Sequence, residues 1–309
     1  MGAIADELIA GSHAATEVNA LLGGLSLQAA AVWADCAKGI DPAKEFAYTS
    51  AGKYPECKVF KTPELEAEMA DYVRRKDSNC RRVEGDESCH KQYHYTDSAI
   101  QRSRYVLGEV GTREFDVVAA IAAATHVLAG DPAPPPFDIK SKREALFLLA
   151  HFVGDIHQPL HVGAIYLDPN GAVIDPDAGV FAPSSATQGG NEITTIRRAT
   201  NRRIANLHQA WDDVPTALNA SRIDAAWLKL ARNVPKTKGA VFEWPKAWAS
   251  ESLTIARRSF VGLQFAAQQD GHWTTTLPHD YDARMEAVKK KQLVRTGARL
   301  AQILETIWP

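Results

Sequence analysis

The sequence lacks three features that mark other classes of protein. It contains no run of about 18 apolar residues, the length that a helix needs to cross a bilayer, so no membrane span is expected. Its 35 Lys and Arg nearly balance its 37 Asp and Glu, so no strong overall positive field indicates a phosphate-binding surface. The first residues include Asp6 and Glu7 and lack the basic and apolar regions of an export signal. Any affinity for a polyanion must therefore come from local charge or from bound metal ions.

Cysteines are few, and none has the CxxC spacing of a zinc or redox site. The four cysteines are Cys36, Cys57, Cys80 and Cys89. Two disulfides that close loops in an oxidising compartment are the favoured interpretation, and four free thiols are the alternative. Three pairings are possible, of which Cys36–Cys57 together with Cys80–Cys89 gives short loops.

The chain is long and apolar enough for a substantial core, with 309 residues of which 45% are hydrophobic. Apolar side chains recur at helical spacing and little alternates with period two, so the predicted fold is all-α. The predicted helices are at about 3–12, 14–22, 25–38, 62–76, 113–129, 141–156, 194–212, 222–233, 242–268 and 283–307. Since neither a linker nor an internal repeat is apparent, a single domain over residues 1–309 is expected.

Local signals mark where helices begin and where loops lie. Ser141 and Glu144 form a capping box that opens one of the predicted helices. Residues 39–61 and 77–92 are rich in Gly, Pro and charge, which predicts long loops held by disulfides. Residues 164–190 are rich in Gly, Pro and Asp, and a short hairpin beside the site is expected there.

The most informative stretch is HFVGDIHQPLH, which begins at His151. His151 and Asp155 are four residues apart, so on a helix both project from one face, with about 6 Å between their Cβ atoms. Such a pair can hold one cation. Pro159 should end the helix nearby and turn His161 back toward the same pocket. His157 faces away from that side, so a supporting or structural role is expected for it.

A second pair, His208 and Asp212, repeats this spacing in the segment NLHQAWD. Together with His161, the two pairs supply nitrogen and carboxylate-oxygen ligands, the mixture that zinc takes. A histidine on an apolar helix is often only a hydrogen-bonded core residue. Two such His/Asp pairs in one chain nevertheless favour a metal site.

Three residues of the amino-terminal half are weaker candidates. Asp35 lies in VWADCAK and His94 in QYHYTD, where the alternatives are a helix-surface or capping acid and a loop residue. Lys38 lies one helical turn after Asp35, so it points to the same side and can neutralise a phosphate oxygen. A solvated surface lysine is the alternative for Lys38.

Three further residues are candidates for contacts with substrate. Asn191 follows two glycines that allow close backbone approach, so it can hydrogen-bond a substrate or a metal-bound water, or simply form a turn. Tyr95 directly follows His94, and Asp97 comes two residues later. An aromatic face beside the metals can stack on a base, and a carboxylate can accept from an exocyclic amine. Core packing is the alternative for Tyr95.

Five motifs occur along the chain in the order typical of a known family. They are Trp33-Ala-Asp35, His94-Tyr95-Thr-Asp97, HFVGDIHQPLH, Gly189-Gly190-Asn191 and NLHQAWD. The chain resembles the S1/P1 nuclease family, the zinc-dependent single-strand nucleases related to bacterial phospholipase C. The resemblance spans most of residues 3–270, and HFVGDIHQPLH followed by the spaced His and Asp is its most specific part.

The resemblance implies two to three zinc ions. It assigns one zinc to Asp35, His94, His151 and Asp155, and a second to His161, His208 and Asp212. Family members hold a third ion through the residue equivalent to Asp155, the amino-terminal Trp of the mature chain and a nearby His. This sequence begins at Met1 without those two residues. A missing natural start is the favoured interpretation, and a degenerate two-metal member with weak activity is the alternative.

The resemblance also implies hydrolysis, by a zinc-activated water, of single-stranded DNA or RNA and of 3′-nucleotides, with 5′-phosphate products. The predicted catalytic residues are Asp155, Lys38 and Asn191, and the predicted substrate contacts are Tyr95, Asp97 and Lys38. In the family, the positions of Tyr95 and Asp97 resemble a nucleobase pocket. Because a base must leave its stack to reach that pocket, duplex is expected to be a poor substrate.

Two other functions fit parts of the pattern. A phospholipase C shares the helical scaffold and three zinc ions. The resemblance implies that phospholipases use Glu at the position of Asp212, so Asp212 favours the nuclease. A metal-storing helical protein would have similar ligands but no open coordination position. The resemblance and the cysteines imply a secreted or periplasmic protein, although no signal peptide is visible, and a monomer is assumed. Residues 39–92 form a longer connection than is usual in the family, so a reshaped substrate groove is expected.

Overall fold

Helices dominate the computed structural model of the protein, which describes residues 1–50, 54–78, 80, 87–179, 181–197 and 202–309. The helices in these residues are α1 (Gly2–Ile9), α2 (His13–Leu22), α3 (Leu27–Ala30), α4 (Trp33–Ala37), α5 (Pro63–Arg74), α6 (Cys89–Gln92), α7 (Val117–Ala129), α8 (Lys142–Asp155), α9 (Leu207–Asp212), α10 (Ala225–Arg232), α11 (Trp244–Ser259) and α12 (Tyr281–Ile307). The short strands are β1 (Ile40–Asp41), β2 (Ala47–Tyr48), β3 (Ser98–Ala99), β4 (Gly163–Ala164), β5 (Tyr166–Leu167), β6 (Val173–Ile174), β7 (Ile193–Arg197), β8 (Arg202–Asn206) and β9 (Trp273–Leu277). The prediction of a mainly helical fold is confirmed. No helix of the described part of the chain is long and apolar enough to cross a membrane.

Helix α8 forms the centre of the core because it is apolar on every side. All of its residues from Ala145 to Val153 are buried, and it packs against α2, α3, α4, α7 and α12. The predicted cap is present, since the Ser141 hydroxyl oxygen accepts a hydrogen bond from the backbone N–H of Glu144 at 3.1 Å. A helix apolar all round is stable only when it is surrounded by other elements, so α8 is a rigid support for the side chains at its end.

The predicted helix over residues 194–212 is wrong in its first part. The described residues of that part form the antiparallel strands β7 and β8, and the helix begins only at Leu207. Buried and half-buried side chains alternate from Ile193 to Ile196, as in a strand with one covered face. Strand β7 also pairs in parallel with β9, which lies far along the chain. This pairing stabilises a strand that the local sequence pattern does not predict.

Two other predicted helices are shorter or interrupted. The helix expected over residues 242–268 ends at Ser259. The helix expected over residues 25–38 is divided into α3 and α4, with a break at Ala31 and Val32. The break frees the Ala31 carbonyl oxygen from helical hydrogen bonding, and the ring Nδ1 of His151 lies 2.6 Å from it.

The expectations for the loops are confirmed where the structure describes them. The segment over residues 164–190 contains the short antiparallel hairpin of β5 and β6. Disulfides join Cys36 to Cys57 and Cys80 to Cys89, so the alternative of four free thiols is wrong. The first disulfide lies next to Asp35 and ties α4 to the loop that follows β2.

A two-residue parallel pairing joins the segments that carry two of the candidate ligands. Strand β3 follows His94, strand β4 follows His161, and the two strands pair side by side. The backbone N–H of Thr96 also donates to the carbonyl oxygen of His161 at 2.8 Å. The main chain therefore holds these two histidine segments at a fixed distance, although they are far apart in sequence.

Candidate metal centre

The predicted site residues converge on one open cleft of about 560 Å³. Its walls include Asp35, Lys38, His94, Tyr95, Asp97, Asp155, His161, Asn191, His208 and Asp212. The remaining candidate, His151, lies behind the cleft wall in contact with His94 and Asp155. Tertiary structure thus brings together all of the predicted metal ligands and the predicted catalytic and substrate-contact residues.

The first group that could hold a metal ion consists of Asp35, His94 and His151. The Asp155 carboxylate faces the two histidines, with its Oδ2 atom 2.9 Å from His94 Nδ1 and 3.1 Å from His151 Nε2. The Oδ1 atom of Asp35 is 3.8 Å from His151 Nε2. Two nitrogens and two carboxylates around one point form a donor set that suits zinc.

The second group that could hold a metal ion consists of His161, His208 and Asp212. The Asp212 carboxylate lies between the two rings, 3.2 Å from His161 Nε2 and 3.4 Å from His208 Nε2. The Oδ1 atom of Asp155 is 3.8 Å from His161 Nδ1. Asp155 therefore lies between the two groups, with one carboxylate oxygen toward each.

Main-chain carbonyls orient two of these rings. The Nδ1 atom of His151 lies 2.6 Å from the carbonyl oxygen of Ala31, and the Nδ1 atom of His161 lies 2.8 Å from that of His94. An Nδ1–H that donates to a carbonyl leaves the lone pair on Nε2, which faces Asp155 in His151 and Asp212 in His161. The carboxylate repels the lone pair on Nε2 unless a proton or a metal ion lies between the two atoms. This arrangement is typical of metal-binding histidines.

The ring of His208 is oriented in the same way. Its Nδ1 atom lies 3.0 Å from the carbonyl oxygen of Gly189. Gly189 has a φ of +58°, and a Cβ atom there would overlap the carbonyl oxygen of Leu160. Glycine at this position therefore allows the loop to pack between His208 and the segment that carries His161.

Without a metal ion, protons must balance the carboxylates. Burial opposes the charged form of both His151 and His161, but nearby carboxylates together outweigh it, Asp155 with Asp35 at His151 and Asp155 with Asp212 at His161. The pKa therefore rises to about 9 for His151 and to about 10 for His161. Burial alone would raise the pKa of Asp155, yet His151 holds it well below its usual range. Burial, aided by Lys38, lowers the pKa of His94 to about 4. A cation that binds here would replace protons, as zinc does in histidine and carboxylate sites.

Lys38 and Asn191 line the cleft beside the ligands. The ammonium group of Lys38 lies 2.6 Å from Asp35 Oδ1, and about half of its side chain remains exposed. Burial opposes the ammonium form, but the Asp35 carboxylate outweighs it and raises the pKa of Lys38. The amide of Asn191 donates to the carbonyl oxygen of Gln188 at 3.0 Å and accepts from Asn206, the residue that caps α9. Asn191 is thus connected to the helix that carries the second ligand pair.

Tyr95 and Asp97 form the end of the cleft next to His94. Both side chains are half-buried, and the Tyr95 hydroxyl lies 3.5 Å from a carboxylate oxygen of Glu87. Burial raises the pKa of Asp97 to about 7, although His161 opposes the rise. A half-exposed aromatic ring beside a carboxyl group offers both a stacking face and a hydrogen-bonding edge.

His157 has a structural environment, as its position in the motif suggests. Its Nδ1 atom lies 2.7 Å from the carbonyl oxygen of Val153, and the guanidinium of Arg299 donates to Nε2 at 2.9 Å. Burial and then Arg299 hold the pKa of His157 well below its usual range. Both ring nitrogens are used within the protein, so His157 links α8 to α12.

The cleft residues that sequence reasoning missed include Gln158, Lys289 and Met1. The amide of Gln158 donates to Asp212 at 2.8 Å, and its place inside HFVGDIHQPLH was the only signal available. The buried ammonium group of Lys289 donates to the carbonyl oxygen of Ala210 on α9. Met1 also lines the cleft. Neither Lys289 nor Met1 has a local sequence signal.

Comparison with known proteins agrees with this geometry. The S1/P1 nuclease family profile matches residues 1–309. Endonuclease 4 of Arabidopsis thaliana is 31% identical over 181 residues, which cover 53% of this chain and 50% of the relative. Endonuclease 5 of the same organism is 30% identical over 181 residues, covering 53% and 51%. Endonuclease 3 is 25% identical over 235 residues, covering 70% and 69%. This chain spans about half the length of the first two relatives, and it belongs to the S1/P1 nuclease family.

Proposed function

We propose that the protein is a zinc-dependent hydrolase that cleaves phosphodiester bonds of single-stranded nucleic acid. One observation carries the proposal: two groups of His and Asp ligands flank Asp155 in a single open cleft. An open cleft supports catalysis over metal storage because a substrate can reach the ligands. Membership of the S1/P1 nuclease family and the names of the relatives support nuclease activity at this site.

The ligand groups fit zinc because they combine imidazole nitrogen with carboxylate oxygen. We assign one ion to Asp35, His94, His151 and Asp155, another to His161, His208 and Asp212, and a third, through Asp155, to ligands that remain to be identified. Zinc bound in such sites activates water near neutral pH and stabilises negative charge on phosphate oxygens. No nucleophile from the protein is required.

The chain's own residues would position the substrate. Lys38 places a cation at the edge of the cleft, where it can pair with a phosphate oxygen. Asn191 also lines the cleft, next to the cap of α9, and can donate a hydrogen bond. We propose that both residues hold the phosphate group during cleavage, and that products carry 5′-phosphates, as in the family that the chain resembles.

A preference for single strands follows from the position of Tyr95 and Asp97. A base can stack on Tyr95 only after it leaves its neighbours, and Asp97 can then accept a hydrogen bond from an exocyclic amine. Unpaired DNA, RNA and 3′-nucleotides meet this condition, whereas bases in a duplex do not. The disulfides support secretion to an oxidising compartment, which we include in the proposal.

Zinc content and hydrolysis, measured together, test the proposal. Purified protein should contain two to three zinc ions per chain and release acid-soluble product from single-stranded DNA and RNA faster than from duplex. Asp212→Asn should lower zinc content by about one ion and activity by roughly a hundredfold. Asp213→Asn is the matched control, because this neighbouring side chain does not line the cleft.

Three results would contradict the proposed function. Zinc-loaded protein without any hydrolysis would indicate a metal-storage protein. Hydrolysis of phosphatidylcholine without hydrolysis of nucleic acid would indicate a phospholipase C. Equal loss of zinc in Asp212→Asn and Asp213→Asn would show that the predicted ligand set is wrong.

A further inference from the structure

A second cavity, of about 220 Å³, adjoins the metal-ligand cleft. Lys38, Lys91 and His94 line both cavities, so the two spaces meet at these side chains. Ile40 and Tyr72 contribute to the largely apolar floor of the second cavity. A chain-like ligand that occupies the metal centre therefore has a neighbouring space into which it can continue.

The second cavity is bordered by positive charge. Lys38, Lys76 and Lys91 line it, and none of the described residues in its wall is acidic. Lys38 pairs with Asp35 at 2.6 Å, and Lys91 pairs with Glu87 at 3.2 Å in a half-exposed contact. For Lys76, the described part of the chain offers no carboxylate partner. An anion at this border would gain contacts with cations that are only partly neutralised.

A third cavity, of about 350 Å³, lies along another face of α5 and has the opposite character. Glu64, Glu68 and Asp71 of that helix line it, together with Glu144 and Lys140. Arg75 pairs with Asp71 and Glu144, and Arg143 pairs with Glu68, so these carboxylates are largely neutralised within the protein. Among its described residues, that face therefore presents no array of lysines to a phosphate chain, in contrast to the second cavity.

The form of the second cavity suits a nucleotide better than a free anion. The rings of Tyr72 and His90 stack with 3.9 Å between their centroids and form part of its wall. An apolar and aromatic floor accommodates a sugar and a base, while lysines at the border accommodate a phosphate. A nucleotide would use both features, because its base and sugar contact the floor while its phosphate contacts the lysines.

We propose that the second cavity is a nucleotide subsite, in which Lys76 and Lys91 bind the phosphate of the nucleotide next to the one at the metal centre. The inference rests on the proposed nuclease function, because only a polymeric substrate has a neighbouring nucleotide to place. The subsite would favour oligonucleotides over mononucleotides without any reading of base sequence. It would also assign a role in substrate binding to α5 and α6, which lie within the longer connection over residues 39–92.

Equilibrium binding to an uncleavable strand tests the subsite directly. The probe is a fluorescent octathymidylate with 3′-methylenephosphonate linkages, which keep their negative charge but lack the 3′ oxygen that leaves on cleavage. Fluorescence anisotropy with zinc-loaded protein should show a Kd about fivefold higher for Lys76→Ala than for the native chain. The slope of log affinity against log salt should become shallower by about 0.7, the value of one phosphate contact to a single strand. Lys76→Arg should retain most of the affinity.

Lys246→Ala is the matched control. Lys246 is an exposed lysine that pairs with Glu243 at 2.7 Å and lines neither cavity, yet its removal changes the net charge equally. Equal binding by Lys76→Ala and the native chain, or an equal loss in Lys246→Ala, would overturn the subsite. Hydrolysis of an unmodified octathymidylate is measured separately. Failure of hydrolysis with a preserved Lys76 effect would overturn the nuclease function and leave the subsite standing.

Discussion

The ammonium group of Lys289 on α12 donates a hydrogen bond to the carbonyl oxygen of Ala210 at 2.7 Å, and a second one to that of Asp213. These two carbonyls lie on either side of Asp212, at the carboxyl end of α9. Lys289 is buried, and a cation at the carboxyl end of a helix satisfies carbonyls that lack helical partners. The contact holds the end of α9 in the position that directs Asp212 into the cleft.

Replacement of Lys289 should therefore weaken the second ligand group. Lys289→Met removes the donor from a buried carbonyl at Ala210 and a partly buried one at Asp213, and we expect a loss of about 2–4 kcal/mol in the free energy of unfolding. Zinc affinity at the group of His161, His208 and Asp212 should fall roughly ten- to a hundredfold. Urea unfolding and calorimetric zinc titration measure the two effects. Lys291→Met, an exposed lysine of the same helix, should change neither, and an equal effect of both variants would contradict the positioning role.

The loop at Gly189 offers a test of how His208 is oriented. In Gly189→Ala the added Cβ would overlap the Leu160 carbonyl oxygen and lie 3.1 Å from His208 Nδ1. We expect the loop to shift and zinc affinity at this group to fall at least about tenfold. Gly24→Ala is the matched control, since Gly24 has a φ of +93° but open space around its Cβ position. Similar zinc affinities for the two variants would show that the close packing at Gly189 is not needed for metal binding.

The role proposed for Tyr95 is tested by kinetics on single-stranded oligonucleotides. Tyr95→Ala should raise KM roughly tenfold, because stacking on an aromatic ring contributes about 1–3 kcal/mol per base. Tyr95→Phe keeps the ring and should change KM less than about twofold. If Tyr95→Ala lowers the thermal midpoint but leaves KM unchanged, Tyr95 is a packing residue.

The amino end of α7 predicts a pH dependence of stability that is separate from the metal site. Asp116 caps this helix, accepts a hydrogen bond from the Tyr105 hydroxyl at 2.9 Å, and is almost completely buried. Burial raises the pKa of Asp116 to about 6 from its ordinary value of 3.8. The folded state therefore binds a proton more tightly than the unfolded state does. The bound proton adds to the free energy of unfolding at low pH, and this stabilisation is lost as the pH rises through about 6.

Asp116→Asn removes this dependence while it keeps the cap, since Asn caps helices as well as Asp does. Between about pH 4 and pH 6, the native protein should lose roughly 2 kcal/mol of unfolding free energy relative to the variant. Urea unfolding across this pH range gives the difference in unfolding free energy between the native protein and Asp116→Asn. Zinc release affects both proteins equally and therefore cancels in this difference. A constant difference between the two proteins would show that the carboxyl group titrates normally.

The residues of the site differ in how visible they are in the sequence. His151 with Asp155, and His208 with Asp212, could be identified because helical spacing alone places each pair on one face. Asp35 and His94 lack such partners nearby, and only the resemblance to a family brought them into the site. Their real neighbours are segments far along the chain, which pack together through the core around α8 and the pairing of β3 with β4.

The sequence by itself determined the helical character of the chain, the disulfide loops and the two local ligand pairs, because these depend on periodicity and short-range spacing. The tertiary structure decided that Asp155 lies between both ligand groups, that Lys289 supports α9, and that a lysine-lined cavity adjoins the cleft. It also replaced part of a predicted helix by β7 and β8, since β7 gained a distant partner in β9. Contacts of this kind depend on which surfaces pack together, and no local pattern of residues specifies them.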